Sequence, residues 1–244
     1  QAALSAAIDA RRDELIALGH RFVTASDTEV LLHGYEQWGE ELPEKLLGMF
    51  AFALWNGRER TLLLARDRVG KKPLYWALHD GAFLFGSEIK ALLKGLPRSP
   101  DVDPRSIHHF LTYQYIPGPQ TIYKGVERLP PAHAMTVTAD GRRRLWRYVK
   151  PDAARAKMTY EEAKTQLGLL LRQAVGCRLE SDVPLGAFLS GGVDSSAVVA
   201  LMAEASARPI KTFSVGFGVP GFDELAHARR VSRRFGTEHT ELQV

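Results

Sequence analysis

Residues Val183–Val199 read VPLGAFLSGGVDSSAVV. An apolar run closes at Leu189, the next seven residues set two glycines, three serines and one aspartate around Val193, and a second apolar run begins. That pattern predicts strand VPLGAFL, loop SGGVDSS and helix AVVALMAEA. It continues with strand IKTFSVGF, a helix from about Phe222 to Phe235 and the start of a strand at His239. Strands alternating with helices imply a parallel, doubly wound α/β sheet. About three strands are too few for such a sheet to be covered on both faces, so this domain is expected to be incomplete.

Upstream the pattern changes. Gly19 to Ser26 carries a short extended pattern, and SDTEVLLHGYEQW then spaces Val30, Leu31, Tyr35 and Trp38 as a helix would. Ser26-x-x-Glu29 reads as a capping box, with Ser26 as N-cap and Glu29 reaching back to it. Short apolar runs MFAFALW, TLLLARD, PLYWAL and AFLFGS follow, separated by Asn56-Gly57, Val69-Gly70 and Asp80-Gly81, and Ala134–Tyr148 turns about Asp140-Gly141. Asn-Gly and Asp-Gly between such runs are hairpin signals, predicting an α+β half built on antiparallel sheets with few helices. Seven of the 13 prolines fall between Leu96 and Pro131, predicting a long ordered crossing between domains. KPDAARAK reads as a linker, and Thr159 to Glu162 is a second capping box, opening a helix with Ala163, Leu167, Leu170, Leu171 and Ala174 on one face. The expected division is 1–148, a linker 149–158, and 159–244.

With 244 residues, 45% of them apolar and 25% charged, the chain is a globular protein of one large or two ordinary domains. The 32 basic residues face 28 acidic ones, and Arg142-Arg143-Arg144 follows a turn, so the charge points to a solvated hairpin face and to no nucleic-acid partner. A single cysteine, Cys177, excludes an internal disulfide framework and fits a reducing, cytoplasmic setting. It is read as a packed thiol in mid-helix. No apolar stretch reaches the ~18 residues that span a membrane. His108-His109 and His239 have no metal-ligand spacing and read as solvated or core side chains.

The loop carries the chemistry. At the carboxyl end of a parallel strand the amides of the following helix point into a crevice with partial positive charge. Gly191 and Gly192 permit a sharp turn and close backbone approach, and Ser190, Ser195 and Ser196 offer hydroxyls to phosphate oxygens. Asp194 would repel phosphate by itself and fits beside it if it holds a magnesium ion. An ordinary capped strand-to-helix turn is the alternative. A Walker A loop would need G-x-x-x-x-G-K-[ST] and a dinucleotide loop G-x-G-x-x-G, and neither is present. A phosphate grip without the lysine that reaches a transferred terminal phosphate suggests that pyrophosphate is held as a leaving group.

SGGVDSS resembles the pyrophosphate loop of the ATP-pyrophosphatase family, SGG-x-DS, and the longer run SDVPLGAFLSGGVDSSAVVALM is similar to that of the asparagine synthetases. SDTEVLLHGYEQWG, LLLARDRVGKKPLYW, FLFGSEIKALL and YIPGPQTIYKGVERLPPAH resemble the glutaminase half of the same enzymes. The resemblance implies an Ntn-hydrolase-like glutaminase domain, truncated at its start, followed by a Rossmann-like, nucleotide alpha-hydrolase type synthetase domain, truncated at its end. It implies ATP and Mg²⁺ as cofactors, glutamine, aspartate and ATP as the small molecules bound, no membrane, and a homodimer. By the same resemblance Asp27 contacts the α-amino group of glutamine, although a carboxylate at the first turn of a helix also suits the helix dipole. Leu189, Ser190, Gly191, Gly192, Asp194, Ser195, Ser196 and Val215 map onto the ATP and pyrophosphate site, with Asp194 on magnesium.

The implied activity is adenylation of aspartate and amidation by ammonia from glutamine. The family's N-terminal cysteine nucleophile, the glutamine ligands ahead of SDTEV and a downstream acidic loop have no counterpart here, so the chain itself is expected to be inactive. Alternatives kept open are a ligase of the same fold acting on another carboxylate, a tRNA-modifying relative, and a non-catalytic nucleotide-binding scaffold.

Overall fold

The computed structural model describes residues 5–151, 157–179, 181, 183–219 and 223–244. The chain divides into two compact units, 7–153 and 154–244 with the first six residues. Half of the expected linker, 152–156, and the expected helix start at Phe222 lie outside the described residues.

In the first unit, α1 (Ser5–Ala17) and α2 (Asp27–Trp38) precede a short α3 (Leu42–Lys45). The segment between α1 and α2, expected to be extended, contains no strand: the Gly19 and His20 amides donate back to α1 carbonyls, and those of Val23, Thr24 and Ser26 to side chains. Strands β1 (Ala51–Asn56), β2 (Thr61–Arg66), β6 (His133–Thr138) and β7 (Arg143–Arg147) form one antiparallel sheet in that order. A second antiparallel sheet, in the order β4-β3-β5, holds β3 (Tyr75–His79), β4 (Ala82–Gly86) and β5 (Val126–Arg128). TLLLARD and PLYWAL therefore belong to different sheets, and Val69-Gly70 carries the chain between them.

The sheets share a core: Leu64, Met135 and Val137 of the first pack with Leu74 and Leu129, while Trp76 and Phe83 of the second lie against that cluster. Burying a side chain such as Leu64 contributes about 2–3 kcal/mol. The Asp80-Gly81 hairpin has the expected two-residue form, both residues at positive φ. Asn56-Gly57 does not. Four residues, 57–60, connect β1 to β2, because Asn56 Oδ1 accepts from the amides of Arg58 and Glu59 (both 3.1 Å) and starts a wider turn.

The proline-rich stretch also differs from expectation. It stays inside the first unit and contains α5 (Pro104–Tyr113), after α4 (Ile89–Gly95). Asp103 caps α5 by accepting from Arg105 N at 3.0 Å, with Pro104 in the first turn, where no amide partner is needed. Helices are thus more numerous here than the turn-rich pattern suggested.

The second unit opens with α6 (Tyr160–Gly176), whose N-terminus is the reciprocal capping box of Thr159 and Glu162. Cys177 is the residue at which α6 ends, half-buried and not in mid-helix. Strands β8 (Gly186–Phe188), β9 (Lys211–Gly216) and β10 (Glu238–Gln243) run parallel in the order β10-β9-β8, connected through α7 (Val193–Ala205) and α8 (Leu225–Phe235). Consecutive right-handed crossovers in one direction place their helices on one face. Leu189, Val199 and Ala228 form the core beneath them, and Phe188, Phe213, Val215 and Leu242 on the opposite face stay exposed. The second winding needs a reversal of strand order, and the described strands contain none.

Candidate functional site

Leu189, the residue after β8, has a fully buried side chain; its amide donates to Phe213 O at 2.8 Å and its carbonyl accepts from the Ser214 hydroxyl. These bonds fix where the chain leaves the sheet. Gly191 then takes φ +84°, a region that side chains avoid. A Cβ there would lie 2.6 Å from His227 Cβ and 2.7 Å from Ala228 N, so the loop lies directly on the backbone of α8. Gly192 is extended and serves as N-cap of α7 without any side-chain cap.

α7 therefore starts at Val193, inside the stretch expected as loop, and Asp194, Ser195 and Ser196 are first-turn residues. The amides of Val193, Asp194 and Ser195 have no acceptor among the described residues. Ser195 Oγ reaches Gly192 O at 3.2 Å and Ser190 Oγ at 3.0 Å, and Ser190 Oγ faces Gly192 N at 3.4 Å. With the Ser195 hydroxyl donating to Gly192 O, the Ser190 hydroxyl is the one that donates between the two serines. Asp194 is exposed and makes no hydrogen bond among the described residues, so its carboxylate fits the role of one magnesium ligand.

A cleft of about 250 Å³ opens beyond the carboxyl ends of β8 and β9. It brings together Leu189, Ser190 and Val215 with Phe217, Glu224 and Leu225, while Gly191, Gly192, Asp194, Ser195 and Ser196 stand outside its lining. Sequence reasoning missed Ser214 and residues 224–228, the N-cap and first turn of α8. Their contacts with the loop span some 25 to 37 positions, which no local spacing signals.

Asp27, in the first unit, is the first residue of α2 and half-buried, with no hydrogen bond or ion pair among the described residues. The capping box expected around it is only half formed. Ser26 Oγ accepts from Thr28 N at 3.2 Å, whereas Glu29 turns to the approaching loop and accepts from Val23 N and Thr24 N, both at 2.7 Å, and from the Thr24 hydroxyl. The Thr24 hydroxyl, then the Val23 amide, hold the Glu29 carboxyl down at about 2. From α1, Arg12 donates to Thr24 O (2.8 Å) and Ser26 O (2.9 Å). Charge-assisted bonds at both ends pin the segment that presents Asp27.

His239 is half-buried, its Nδ1 2.8 Å from Thr212 Oγ1 and its Nε2 3.4 Å from Glu241 Oε1. Beyond the Asp27 helix, Asp67 is fully buried and accepts from the amides of Val69, Lys71 and Lys72, which builds the turn in LLLARDRVGKKPLYW.

Residues 8–149 match the family model described as "Glutamine amidotransferase domain". The chain belongs to that family. Residues 166–244 match a second model, "Asparagine synthase", so the resemblance read from SGGVDSS and the upstream blocks is borne out.

A curated relative from Bacillus subtilis (strain 168), "Asparagine synthetase [glutamine-hydrolyzing] 3", is 37% identical over 96% of this chain and 40% of its own length. "Putative asparagine synthetase [glutamine-hydrolyzing] 2" of Methanocaldococcus jannaschii is 34% identical over 88% of the chain and 42% of that protein. "Amidase chyE" of Penicillium rubens is 33% identical over 93% and 36%. The chain spans about two fifths of the length of the curated relatives it matches. No described helix is long and apolar enough to cross a membrane.

Proposed function

We propose that this chain is the glutaminase portion, 1–148, the linker, 149–158, and the nucleotide-binding portion, 159–244, of a cytoplasmic, homodimeric, glutamine-dependent asparagine synthetase, a carbon–nitrogen ligase. The observation that carries the reading is the start of α7: bare amides, two inward-turned serine hydroxyls and a glycine seated on α8, all at the carboxyl end of a parallel strand.

In this reading the β-carboxylate of aspartate attacks the α-phosphorus of ATP, the bond to the β-phosphate breaks, and pyrophosphate leaves carrying the electron pair. Ammonia then attacks the activated carbonyl and displaces AMP. Gly191, Gly192, Ser190, Ser195 and Ser196 meet the charge that develops on the departing oxygens, which stabilises the transition state more than the ground state. Magnesium held by Asp194 would supply further positive charge there. The main chain of Leu189 and Val215 borders the adenine, and Asp27 pairs with the α-ammonium of glutamine.

The test uses the polypeptide at the length of its relatives, supplied with ATP, Mg²⁺, aspartate and either glutamine or ammonia. Pyrophosphate and asparagine form in equal amounts, and Asp194→Ala with Ser196→Ala stops both. Pyrophosphate release that ignores aspartate, or that survives this double change undiminished, would overturn the reading. The 244-residue chain by itself binds magnesium pyrophosphate and forms no asparagine.

"Amidase chyE" among the relatives supports one second reading, amidation of a different carboxylate on the same loop. Pyrophosphate release with another acid and not with aspartate selects it.

A further inference from the structure

We propose that His20, His33 and Glu36 hold one zinc-like divalent transition-metal ion. His33 and Glu36 are three residues apart on α2 and so share a face; His20 comes to them from the loop after α1. Their ligand atoms converge: Nδ1 of His20 lies 3.3 Å from Nδ1 of His33, and Oε2 of Glu36 lies 2.8 Å from the second ring nitrogen and 3.6 Å from the first. Zinc–nitrogen and zinc–oxygen bonds of about 2.0–2.2 Å arranged tetrahedrally separate their ligands by roughly 3.3 Å. The three edges observed bracket that value.

The outer partners say which nitrogens are free. Nε2 of His20 is 3.0 Å from Gln37 Oε1, an atom that only accepts, so the ring proton sits on that side. Nε2 of His33 faces the Glu29 carboxylate at 3.7 Å. His20 thus turns its protonated nitrogen to an oxygen and its lone pair inward, the outer-sphere arrangement typical of metal-bound imidazoles, whereas the carboxylate beside the outer nitrogen of His33 stands beyond hydrogen-bond reach. Two ring nitrogens and a carboxylate oxygen within 3.6 Å of one another need a proton or a metal cation between them. A nitrogen- and oxygen-only set leaves a fourth, water-accessible position and suits Zn²⁺ better than hard cations such as Mg²⁺. The ion would clasp the loop to α2, alongside the Glu29 and Arg12 bonds, independently of what Asp27 binds.

The experiment titrates the untagged, chelator-treated 244-residue chain with Zn²⁺ by calorimetry and with Co²⁺ by visible absorption. One equivalent of each is expected, with cobalt giving the strong bands of a four-coordinate site. His20→Gln and Glu36→Ala should each weaken binding at least about 10-fold, and Gln37→Leu, which touches no ion, roughly 10-fold through the orientation of His20. His133→Gln leaves the affinity unchanged, and circular dichroism confirms that each variant is folded. A chain that takes up no equivalent, or whose binding is the same in folded His20→Gln and Glu36→Ala, overturns the proposal and leaves a shared proton as the cation between the rings.

Discussion

The helices α2 and α7 begin in opposite ways. At α2 the serine hydroxyl caps the first turn, Glu29 and Arg12 consume the polar groups of the approaching loop, and the group left over is a carboxylate, Asp27. At α7 no side chain caps the first turn, and the groups left over are amides and hydroxyls. In the proposed function the first start meets an ammonium group and the second an anion. The difference lies in what the side chains near each helix have already satisfied, since the helix dipole itself is the same in both.

The sharpest break of this comparison is Gly191→Ala. The change forces an alanine to φ +84° and presses its Cβ into the backbone of α8. Adding about 1–2 kcal/mol for the backbone to 1–3 kcal/mol for overpacking gives a loss of roughly 2–5 kcal/mol. Gly192→Ala is the control. Its Cβ would be 3.5 Å from Ser190 Oγ, an ordinary contact, and the loss should stay near 1 kcal/mol, that of a poorer N-cap. Urea unfolding of both variants checks the pair, and equal losses would remove the argument that α8 shapes the anion loop.

How much of this was legible depends on the range of the forces involved. The strand–loop–helix order around SGGVDSS, the Thr159–Glu162 box and the two-residue Asp80-Gly81 turn are local, and the sequence carries them in adjacent residues. Glu29 was placed on its own cap from the S-x-x-E spacing, but the Val23 and Thr24 amides, pinned by Arg12 from another helix, compete for it and win. α5 could have been found: Asp103-Pro104 is a cap followed by a first-turn proline, a signal hidden by reading seven prolines together as a crossing. The pairing of Leu189 with Ser214, and of Gly191 with α8, is set by tertiary packing and leaves no local trace.

Ser190→Ala probes the anion side with a smaller effect. It removes a hydroxyl that can rotate from Ser195 to a phosphate oxygen, and one hydrogen bond to a charged group is worth about 1.5 kcal/mol or more, so magnesium pyrophosphate should bind the 244-residue chain roughly 10-fold more weakly. Calorimetry measures this. An unchanged affinity would place the anion elsewhere.

On the α2 side the effect follows pH. Glu29 has a folded pKa of about 2 against an ordinary 4.5, so its contribution is complete above about 4.5 and is lost as the pH falls through about 2. The stability gap between the wild type and Glu29→Gln should therefore be constant above that window and close toward its acid end. A gap that does not vary with pH would mean that the negative charge is not what holds Val23 and Thr24.

The smallest expected change concerns α6, whose apolar positions suggest a core face that the described chain does not cover. Leu167 and Leu170 are 56% and 60% exposed, whereas Val175, five residues beyond Leu170, is 9% exposed and packs with Met202 and Ile210. Leu170→Gln should then shift the urea midpoint by no more than about 0.5 kcal/mol equivalent, the range of surface changes. Val175→Ala, which removes two buried methyl groups, should cost about 1–3 kcal/mol. Alanine is the better helix former, so propensity alone would make Val175→Ala the milder change, and a larger loss there reports burial. If Leu170→Gln cost as much as Val175→Ala, the exposed α6 face would be packed in solution.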